Sequence, residues 1–212
     1  MGRRGECPVV LDIGCGRGID HDRSLQASIA VRTGRFIGIE PDESVESSLY
    51  FDEFHRCTLE DAPLGKESID VAFSVFGLEH VIHPRLFWKK VYDVLVPHGF
   101  FLALTVDARH YFCAMSRMME LLRIKGSYLN RLRGVRARER YANYPAYYRT
   151  NSPRRISRDT GSFRRREFIS TSHPEDIRFY YPRFLWPAAI FAERLMSRAN
   201  LPSLTLVAKL QK

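Results

Sequence analysis

The sequence lacks the segments that span membranes, direct secretion or cross-link a chain. No apolar run reaches the roughly eighteen residues that a membrane-spanning helix needs. The first residues, MGRRGECPVV, contain no apolar core of a secretory signal. The four cysteines (Cys7, Cys15, Cys57 and Cys113) show neither metal-ligand nor disulfide spacing. These absences predict a cytoplasmic protein without a membrane span, a disulfide framework or a metal site.

Acidic residues are in the minority. The 212 residues include 33 Lys and Arg against 24 Asp and Glu, which gives a net charge of +9 at pH 7. A basic chain favours acidic partners, such as nucleic acid, anionic lipid or a phosphorylated or carboxylated small molecule. The length suits one domain with a full hydrophobic core. We therefore predict a single domain over residues 1–212.

Strand-like and helix-like segments alternate in the first half of the chain. Strands are predicted at 9–13, 35–40, 69–75 and 99–106, and helices at 23–33, 43–54 and 84–95. In the last helix, Phe87, Val91, Val94 and Leu95 fall on one face. Such alternation requires a parallel sheet that helices cover on both faces. The predicted fold class is α/β.

The second half of the chain has a different composition. Residues 115–132 are apolar at helical spacing, and residues 131–166 are dense in arginine and tyrosine. Beyond them we predict a short helix between Pro153 and Gly161, strands at 167–171 and 203–210, and a helix at 187–199. We divide the domain into a cofactor-binding half (1–110), a basic substrate-side insertion (111–166) and C-terminal strands with a helix (167–212).

Three glycines follow the first strand at every second residue, in VVLDIGCGRG. Gly14, Gly16 and Gly18 allow a tight turn that presents backbone amides to a ligand. The second strand ends in Glu40, which is placed to bind the two hydroxyls of a ribose. Ile19 stands where a dinucleotide fingerprint has Gly or Ala. A ribose without a pyrophosphate indicates an adenosyl compound.

Four segments together resemble successive motifs of one enzyme family. They are VVLDIGCGRG, FIGIEPD, IDVAFSVFGLEHV and VLVPHGFFLALTV, all within residues 8–107. They look like the class I S-adenosylmethionine-dependent methyltransferases, and the whole chain is similar to small bacterial members. The resemblance implies a Rossmann-like, seven-stranded, mostly parallel sheet with helices on both faces. Its last strand would run antiparallel, and the basic insertion would precede the last two strands.

The resemblance also implies roles for individual residues. S-adenosyl-L-methionine would be the cofactor, and its methionine end would lie on Asp12 and on the backbone of Gly14, Cys15 and Gly16. Glu40 would bind the ribose, and Pro41 would lie beside the adenine. The adenine edge would be read by Thr58, Leu59 or Glu60. Predicted to bind the cofactor are Asp12, Gly14, Cys15, Gly16, Gly18, Glu40, Pro41, Thr58, Leu59, Glu60, Phe76 and Gly77.

The acceptor side offers candidates in two places. His110, with Asp107 as its orienting carboxylate, could act as a general base, as could His80. His80 could instead be a packing or capping residue, and Asp107 could simply start a loop. Arg109 could hold an acidic acceptor. The segment NYPAYYRTNS adds Tyr144, Tyr147, Tyr148 and Arg149, as a lid over the acceptor or as a surface strap.

The function that we predict is methyl transfer to an oxygen of a small metabolite or glycan, with an anionic acceptor as one option. Three alternatives stay open. An RNA methyltransferase would use the arginine- and tyrosine-rich stretch. A peripheral membrane enzyme would act on a lipid-linked acceptor through residues 115–132 and Phe184, Leu185 and Trp186. A non-catalytic binding protein on the same fold is the third.

Overall fold

The computed structural model describes residues 7–16, 18–19, 22–46, 49–133, 145–171, 178 and 181–212. Within these residues, the strands are β1 (Val9–Ile13), β2 (Arg35–Ile39), β3 (Glu53–His55), β4 (Ile69–Val75), β5 (Leu95–Val106), β6 (Arg165–Thr171) and β7 (Thr205–Gln211). The helices are α1 (Arg23–Ala30), α2 (Pro84–Val94), α3 (Tyr111–Leu121), α4 (Lys125–Arg133), α5 (Pro153–Asp159) and α6 (Trp186–Arg198). Short 3-10 turns lie at Leu78–His80 and Arg183–Leu185.

The strands form one seven-stranded sheet in the order β3-β2-β1-β4-β5-β7-β6. Pairs from β3 through β5 are parallel, whereas β7 runs antiparallel to both β5 and β6. This arrangement confirms the predicted Rossmann-like, mostly parallel sheet with an antiparallel last strand. Among the described residues, every helix is too short or too polar to traverse a bilayer.

The hydrophobic core lies on both faces of the central strands. Four of the five residues in β1 and in β2 are buried, as expected for parallel strands that helices cover on both sides. Helix α2 buries its predicted apolar face and adds Trp88, whose ring lies 5.1 Å from that of Phe101 on β5. Leu95, predicted to end this helix, instead begins β5.

The predicted helix at 43–54 is wrong. The described part of this segment forms turns, and its last residues join the edge strand Glu53–His55. Phe51 packs on Gly38 of β2, where a Cβ would lie 2.8 Å from the ring. Arg56 donates hydrogen bonds to the carbonyls of Asp42 and Val45, at 2.6 and 2.8 Å. These tertiary contacts override the helical propensity of the sequence.

The parallel strands place the candidate site at one edge of the sheet. β1, β2, β4 and β5 all run in the same direction, so their carboxyl ends lie along that edge. The segments that follow these ends are 14–18, 40–41, 76–80 and 107–110. Ligands of open α/β sheets bind beyond the carboxyl ends of the strands. The fold therefore brings most of the predicted site residues to one side of the molecule.

Candidate cofactor and acceptor site

The glycine loop after β1 is fixed to the end of β2. Gly14 and Gly16 have φ angles of +69° and +49°, in the left-handed region that glycine tolerates best. The amides of Gly14 and Cys15 both donate to the carbonyl oxygen of Ile39, at 2.8 and 3.1 Å. This shared acceptor holds the start of the loop against the next strand.

The carboxylate of Glu40 holds the loop from the side. Its Oε2 accepts from the Gly16 amide at 2.8 Å and its Oε1 from the Asp42 amide at 3.0 Å. Our prediction that the loop presents its amides to a ligand is therefore wrong for this structure. The amides of Gly14, Cys15 and Gly16 all donate within the protein. Glu40 still has free lone pairs, because a carboxylate offers about four acceptor positions.

Asp12 and Gln26 form a buried pair behind the loop. The Gln26 Nε2 donates to Asp12 Oδ2 at 3.2 Å and to the Cys15 carbonyl at 3.3 Å. Burial raises the pKa of Asp12 to about 7, while the hydrogen bond from Gln26 opposes this shift and the charge of Glu40 adds to it. Sequence reasoning missed Gln26, whose only signal was one amide side chain in an otherwise amphipathic helical segment.

The loops after β1 and β4 approach each other through two glycines. A Cβ on Gly14 would lie 3.9 Å from the Cα of Gly77, and a Cβ on Gly77 would lie 2.5 Å from Ser74 Oγ. Phe76, just before Gly77, has a φ of +51° and is 38% exposed. A non-glycine residue in this conformation is a strained feature of the kind that concentrates at functional sites. Gly77 therefore lies beside the glycine loop, and the contact of Phe76 and Gly77 with a cofactor stays a prediction.

The candidates for adenine binding follow β3. Thr58 is exposed and its hydroxyl donates to Asp61 Oδ2 at 2.8 Å, while Leu59 is buried and Glu60 is half-buried. Their contact with an adenine stays a prediction, as does that of the exposed Pro41. Gly18 closes the glycine loop by donating to the Cys15 carbonyl at 3.2 Å.

The predicted pairing of His110 with Asp107 is wrong. Asp107 is fully buried and binds Arg109, whose Nε and Nη2 lie 3.0 and 2.7 Å from Oδ1 and Oδ2. His110 is also buried, and its Nε2 lies 3.1 Å from Glu193 Oε1 on α6. Burial raises the pKa of Glu193, but hydrogen bonds from His110 and Tyr111 outweigh burial and hold the pKa below its usual value. Any catalytic role of His110 or Asp107 stays a prediction.

His80 lies at the loop after β4 and contacts a second segment. Its Nδ1 lies 2.9 Å from the carbonyl oxygen of Pro145. Because a carbonyl can only accept, we assign the proton to Nδ1, which leaves Nε2 as the basic nitrogen. The carbonyl of Glu79 accepts from the amide of Tyr147 at 2.7 Å. These contacts fasten residues 145–149, which we call the strap, to the loop after β4.

The side chain of Glu79 lies in a buried polar network that sequence reasoning missed. Its Oε2 lies 2.9 Å from Thr105 Oγ1, which in turn lies 2.6 Å from the side-chain amide of Asn151. Burial raises the pKa of Glu79, against the opposing effects of the nearby His80 and of its own hydrogen bonds. The network joins the loop after β4 to β5 and to the start of α5.

The strap contains three of the five predicted acceptor-binding residues. Tyr147 is 37% exposed, and the guanidinium of Arg149 lies over its ring at 5.3 Å. The side chain of Tyr148 is buried, and its backbone carbonyl accepts hydrogen bonds from Arg117 and Arg155. Tyr144 lies outside the described residues. The contact of these residues with an acceptor stays a prediction.

Comparisons with known proteins agree with this architecture. A family model described as a methyltransferase domain matches residues 11–103. The chain is 29% identical over 105 residues to the ubiquinone biosynthesis O-methyltransferase of Bradyrhizobium diazoefficiens. That match covers 46% of this chain and 40% of the relative, so the chain spans only about two-fifths of the relative's length.

Two solved structures illustrate the similarity of fold. A SAM-dependent methyltransferase from Archaeoglobus fulgidus is 13% identical with a TM-score of 0.59, covering 97% of this chain and 86% of that one. Phosphoethanolamine N-methyltransferase 2 of Haemonchus contortus, solved with S-adenosyl-L-methionine, is 13% identical with a TM-score of 0.58. The match covers 100% of this chain and 50% of that one. Residues 11–103 therefore match a methyltransferase domain, and the chain shares the fold of S-adenosylmethionine-dependent methyltransferases.

Proposed function

We propose that this chain transfers a methyl group from S-adenosylmethionine to an oxygen atom of a small acceptor. The observation that carries the proposal is the clamp between Gly16 and Glu40, at 2.8 Å, next to the close approach of Gly14 and Gly77. An oxygen acceptor is supported by the name of the curated relative, a ubiquinone biosynthesis O-methyltransferase. We place the activity in the cytoplasm, where the four free cysteines would stay reduced.

The residues around the loop fit this cofactor. Gln26 Oε1 is buried without a hydrogen-bond partner among the described residues, and it lies beside the Asp12 carboxyl. An unpartnered acceptor next to an acidic group suits the ammonium of a methionine moiety. Glu40 suits the ribose hydroxyls, which donate to a carboxylate. When bound, S-adenosylmethionine supplies an electrophilic methyl group on a sulfonium.

The protein contributes mainly by positioning. Holding two reactants in line can supply about 7–11 kcal/mol of the barrier without any acid or base. A hydroxyl acceptor must also lose its proton, for which we propose Nε2 of His80. His80 follows Gly77 by three residues, and its Nδ1 is anchored on the Pro145 carbonyl at 2.9 Å. The buried His110, bound to Glu193, has no such position at the loop after β4.

Calorimetry with S-adenosylhomocysteine tests the proposal. Gly16→Ala leaves room for the new methyl group, whose nearest neighbours, the Gly14 carbonyl oxygen and Glu40 Oε2, would lie 3.9 and 4.0 Å away, but it strains a φ of +49°. We expect it to weaken binding, while Gly161→Ala, with no atom within 4 Å of its Cβ, should bind like the wild type. Folded wild-type protein that gives no binding heat would overturn the proposal.

A lipid-linked acceptor is the second candidate, because an apolar surface lies on α3, the turn at Arg183–Leu185 and α6. The side chains on it that are more than half exposed are Met118, Leu121, Leu122, Phe184, Phe191 and Leu195. Arg194 and Arg198 are exposed on the same helix α6. Apolar side chains combined with cations favour an anionic bilayer surface.

Vesicle flotation distinguishes the lipid-linked acceptor from a water-soluble one. Vesicles that contain phosphatidylglycerol should carry the protein upward, whereas pure phosphatidylcholine vesicles should carry less of it. Phe184→Ser with Phe191→Ser should abolish flotation, and Leu49→Ser, a change at a 99% exposed leucine elsewhere, should not. Equal recovery with and without vesicles would rule out the lipid surface.

A further inference from the structure

A cavity of about 730 Å³ lies between the start of α2, α3, α5 and the strap. Its volume is in the range that small-molecule sites occupy. The charged side chains that line it are Arg85, Arg117, Arg149, Arg155, Arg158 and Asp159. We call this cavity the arginine pocket. Three of the predicted acceptor-binding residues, Tyr147, Tyr148 and Arg149, line it as well.

The arginine pocket carries an excess of positive charge. Among the described residues that line it, the one carboxylate is that of Asp159, which Arg158 binds through two hydrogen bonds of 2.9 Å. Within the described part of the chain, Arg85, Arg117, Arg149 and Arg155 make no salt bridge. Four guanidinium groups without a carboxylate repel one another unless an anion lies between them. The pocket therefore has the charge of an anion site.

Backbone carbonyls hold three of these guanidinium groups in place. Tyr148 has a φ of +50°, and its carbonyl accepts from Arg117 Nη2 at 3.2 Å and from Arg155 Nη1. Arg149 Nη1 donates to the Ile82 carbonyl at 2.6 Å. Each guanidinium carries five N–H donors, so each retains donors for a ligand. Fixed cations lose less side-chain entropy when they bind an anion.

Contacts with tyrosine rings also help to hold two of these guanidinium groups in place. The guanidiniums of Arg117 and Arg149 lie 5.1 and 5.3 Å from the ring centroids of Tyr148 and Tyr147. The Tyr147 amide is bound to the carbonyl of Glu79, two residues after Gly77. The strap thus joins the arginine pocket to the loop where the acceptor is expected.

We propose that the arginine pocket binds the phosphate group of a small phosphorylated acceptor. This inference rests on the proposed function, whose substrate class it specifies. Several guanidinium groups around one cavity match the oxygens of a tetrahedral dianion, whereas a planar carboxylate is satisfied by a single guanidinium fork. The acceptor would therefore carry its phosphate at one end and its methylated oxygen at the other.

Calorimetric titration with inorganic phosphate, against acetate and chloride at equal ionic strength, tests the proposal. We expect phosphate to bind more tightly than acetate. Arg117→Gln and Arg149→Gln should each weaken phosphate binding about tenfold or more, because each removes charge-assisted hydrogen bonds. Arg32→Gln is the matched control, since Arg32 also donates to a backbone carbonyl, that of Ser28 at 2.5 Å, but lies outside the pocket.

A second kind of variant should change the affinity for phosphate in the opposite direction. Asp159→Asn releases Arg158 and should tighten phosphate binding, which a merely structural role of the pocket does not explain. Binding of S-adenosylhomocysteine should stay unchanged in all of these variants. Phosphate binding that is absent, equal to that of acetate, or unaffected by the arginine changes would overturn the inference.

The same titrations separate this inference from the proposed function. If S-adenosylhomocysteine binds but phosphate does not, the phosphate inference fails alone. If neither binds, both fail. Retention of a short single-stranded RNA that falls steeply with salt and is lost in the same arginine variants would replace the small acceptor with nucleic acid.

Discussion

Replacing Glu40 with glutamine removes one negative charge from the clamp on the glycine loop while keeping the size of the side chain. The carboxylate accepts from two amides, those of Gly16 and Asp42, at 2.8 and 3.0 Å. A carboxamide has one acceptor atom and one donor group. Whichever way it is turned, one of the two amides faces an N–H group. Residue 40 then loses its hydrogen bond either to the loop at Gly16 or to the Asp42 amide.

The magnitude follows from the hydrogen bonds at stake. A hydrogen bond to a charged group contributes about 1.5–3 kcal/mol, roughly twice that of a neutral pair. Glu40→Gln removes one such bond within the protein and weakens those to the ribose hydroxyls. We expect a total loss of about 2–3 kcal/mol, which lowers the affinity for S-adenosylhomocysteine about 30- to 150-fold.

Isothermal calorimetry at pH 8 measures this loss directly. Glu120→Gln is the matched control, because Glu120 is more exposed and contacts only Lys125 at 3.0 Å among the interactions described. Thermal unfolding of both variants checks that they fold. The reasoning is refuted if Glu40→Gln binds within twofold of the wild type, or if the control loses as much affinity.

Four further predictions concern Asp12, His80 and Thr150. The pKa of Asp12 is raised to about 7 from an ordinary 3.8, so its contribution to the free energy of unfolding is greatest below pH 3.8 and falls until about pH 7. In Asp12→Asn, the free energy of chemical unfolding should therefore depend less on pH across that range. Binding of the cationic cofactor favours the ionised Asp12, so titrations at pH 6 in buffers of different ionisation enthalpy should show proton release that Asp12→Asn abolishes. His80→Asn should lower kcat about 10²- to 10⁴-fold without weakening cofactor binding, whereas His98→Asn, at an exposed position near the start of β5, should not lower kcat; equal rates would exclude His80 as the base. Thr150→Val leaves the buried indole N–H of Trp88 without its acceptor at 2.7 Å and should cost about 1–3 kcal/mol in urea unfolding; an unchanged midpoint would contradict this.

The sheet could be predicted because its central strands carry a strong local signal. Consecutive apolar residues in β1 and β2 are typical of strands that are covered on both faces, and both strands lie where the pattern placed them. The glycines after β1 and the acidic residue after β2 then follow from the direction of parallel strands. Glu40 reaches Gly16 because both lie at the carboxyl edge of adjacent strands.

What the sequence could not predict depends on contacts between distant segments. The segment at 43–54 has helical propensity, yet Phe51 packs on Gly38 and draws the segment towards the sheet edge. His110 and Asp107 are close in sequence, but α6 brings Glu193 to the imidazole of His110. The carboxylate of Asp107 instead forms a salt bridge with Arg109. Such partners are chosen by tertiary packing, about which local spacing carries little information.

The arginine pocket, too, could be predicted from the sequence only in part. The density of arginine between residues 131 and 166 indicated an anionic partner, but not which arginines would share a cavity. Arg85 and Arg117 come from outside that stretch, and Tyr148, whose carbonyl accepts from two of the guanidinium groups, has a φ of +50°. A backbone conformation of this kind leaves no pattern in the sequence.

A crystal structure of this protein soaked with S-adenosylhomocysteine tests the central claim most directly. The account predicts that the ribose hydroxyls contact Glu40 and that the amino acid end lies among Asp12, Gln26 and the glycine loop. Electron density for the nucleoside at any other place, or none at saturating concentration, would contradict it.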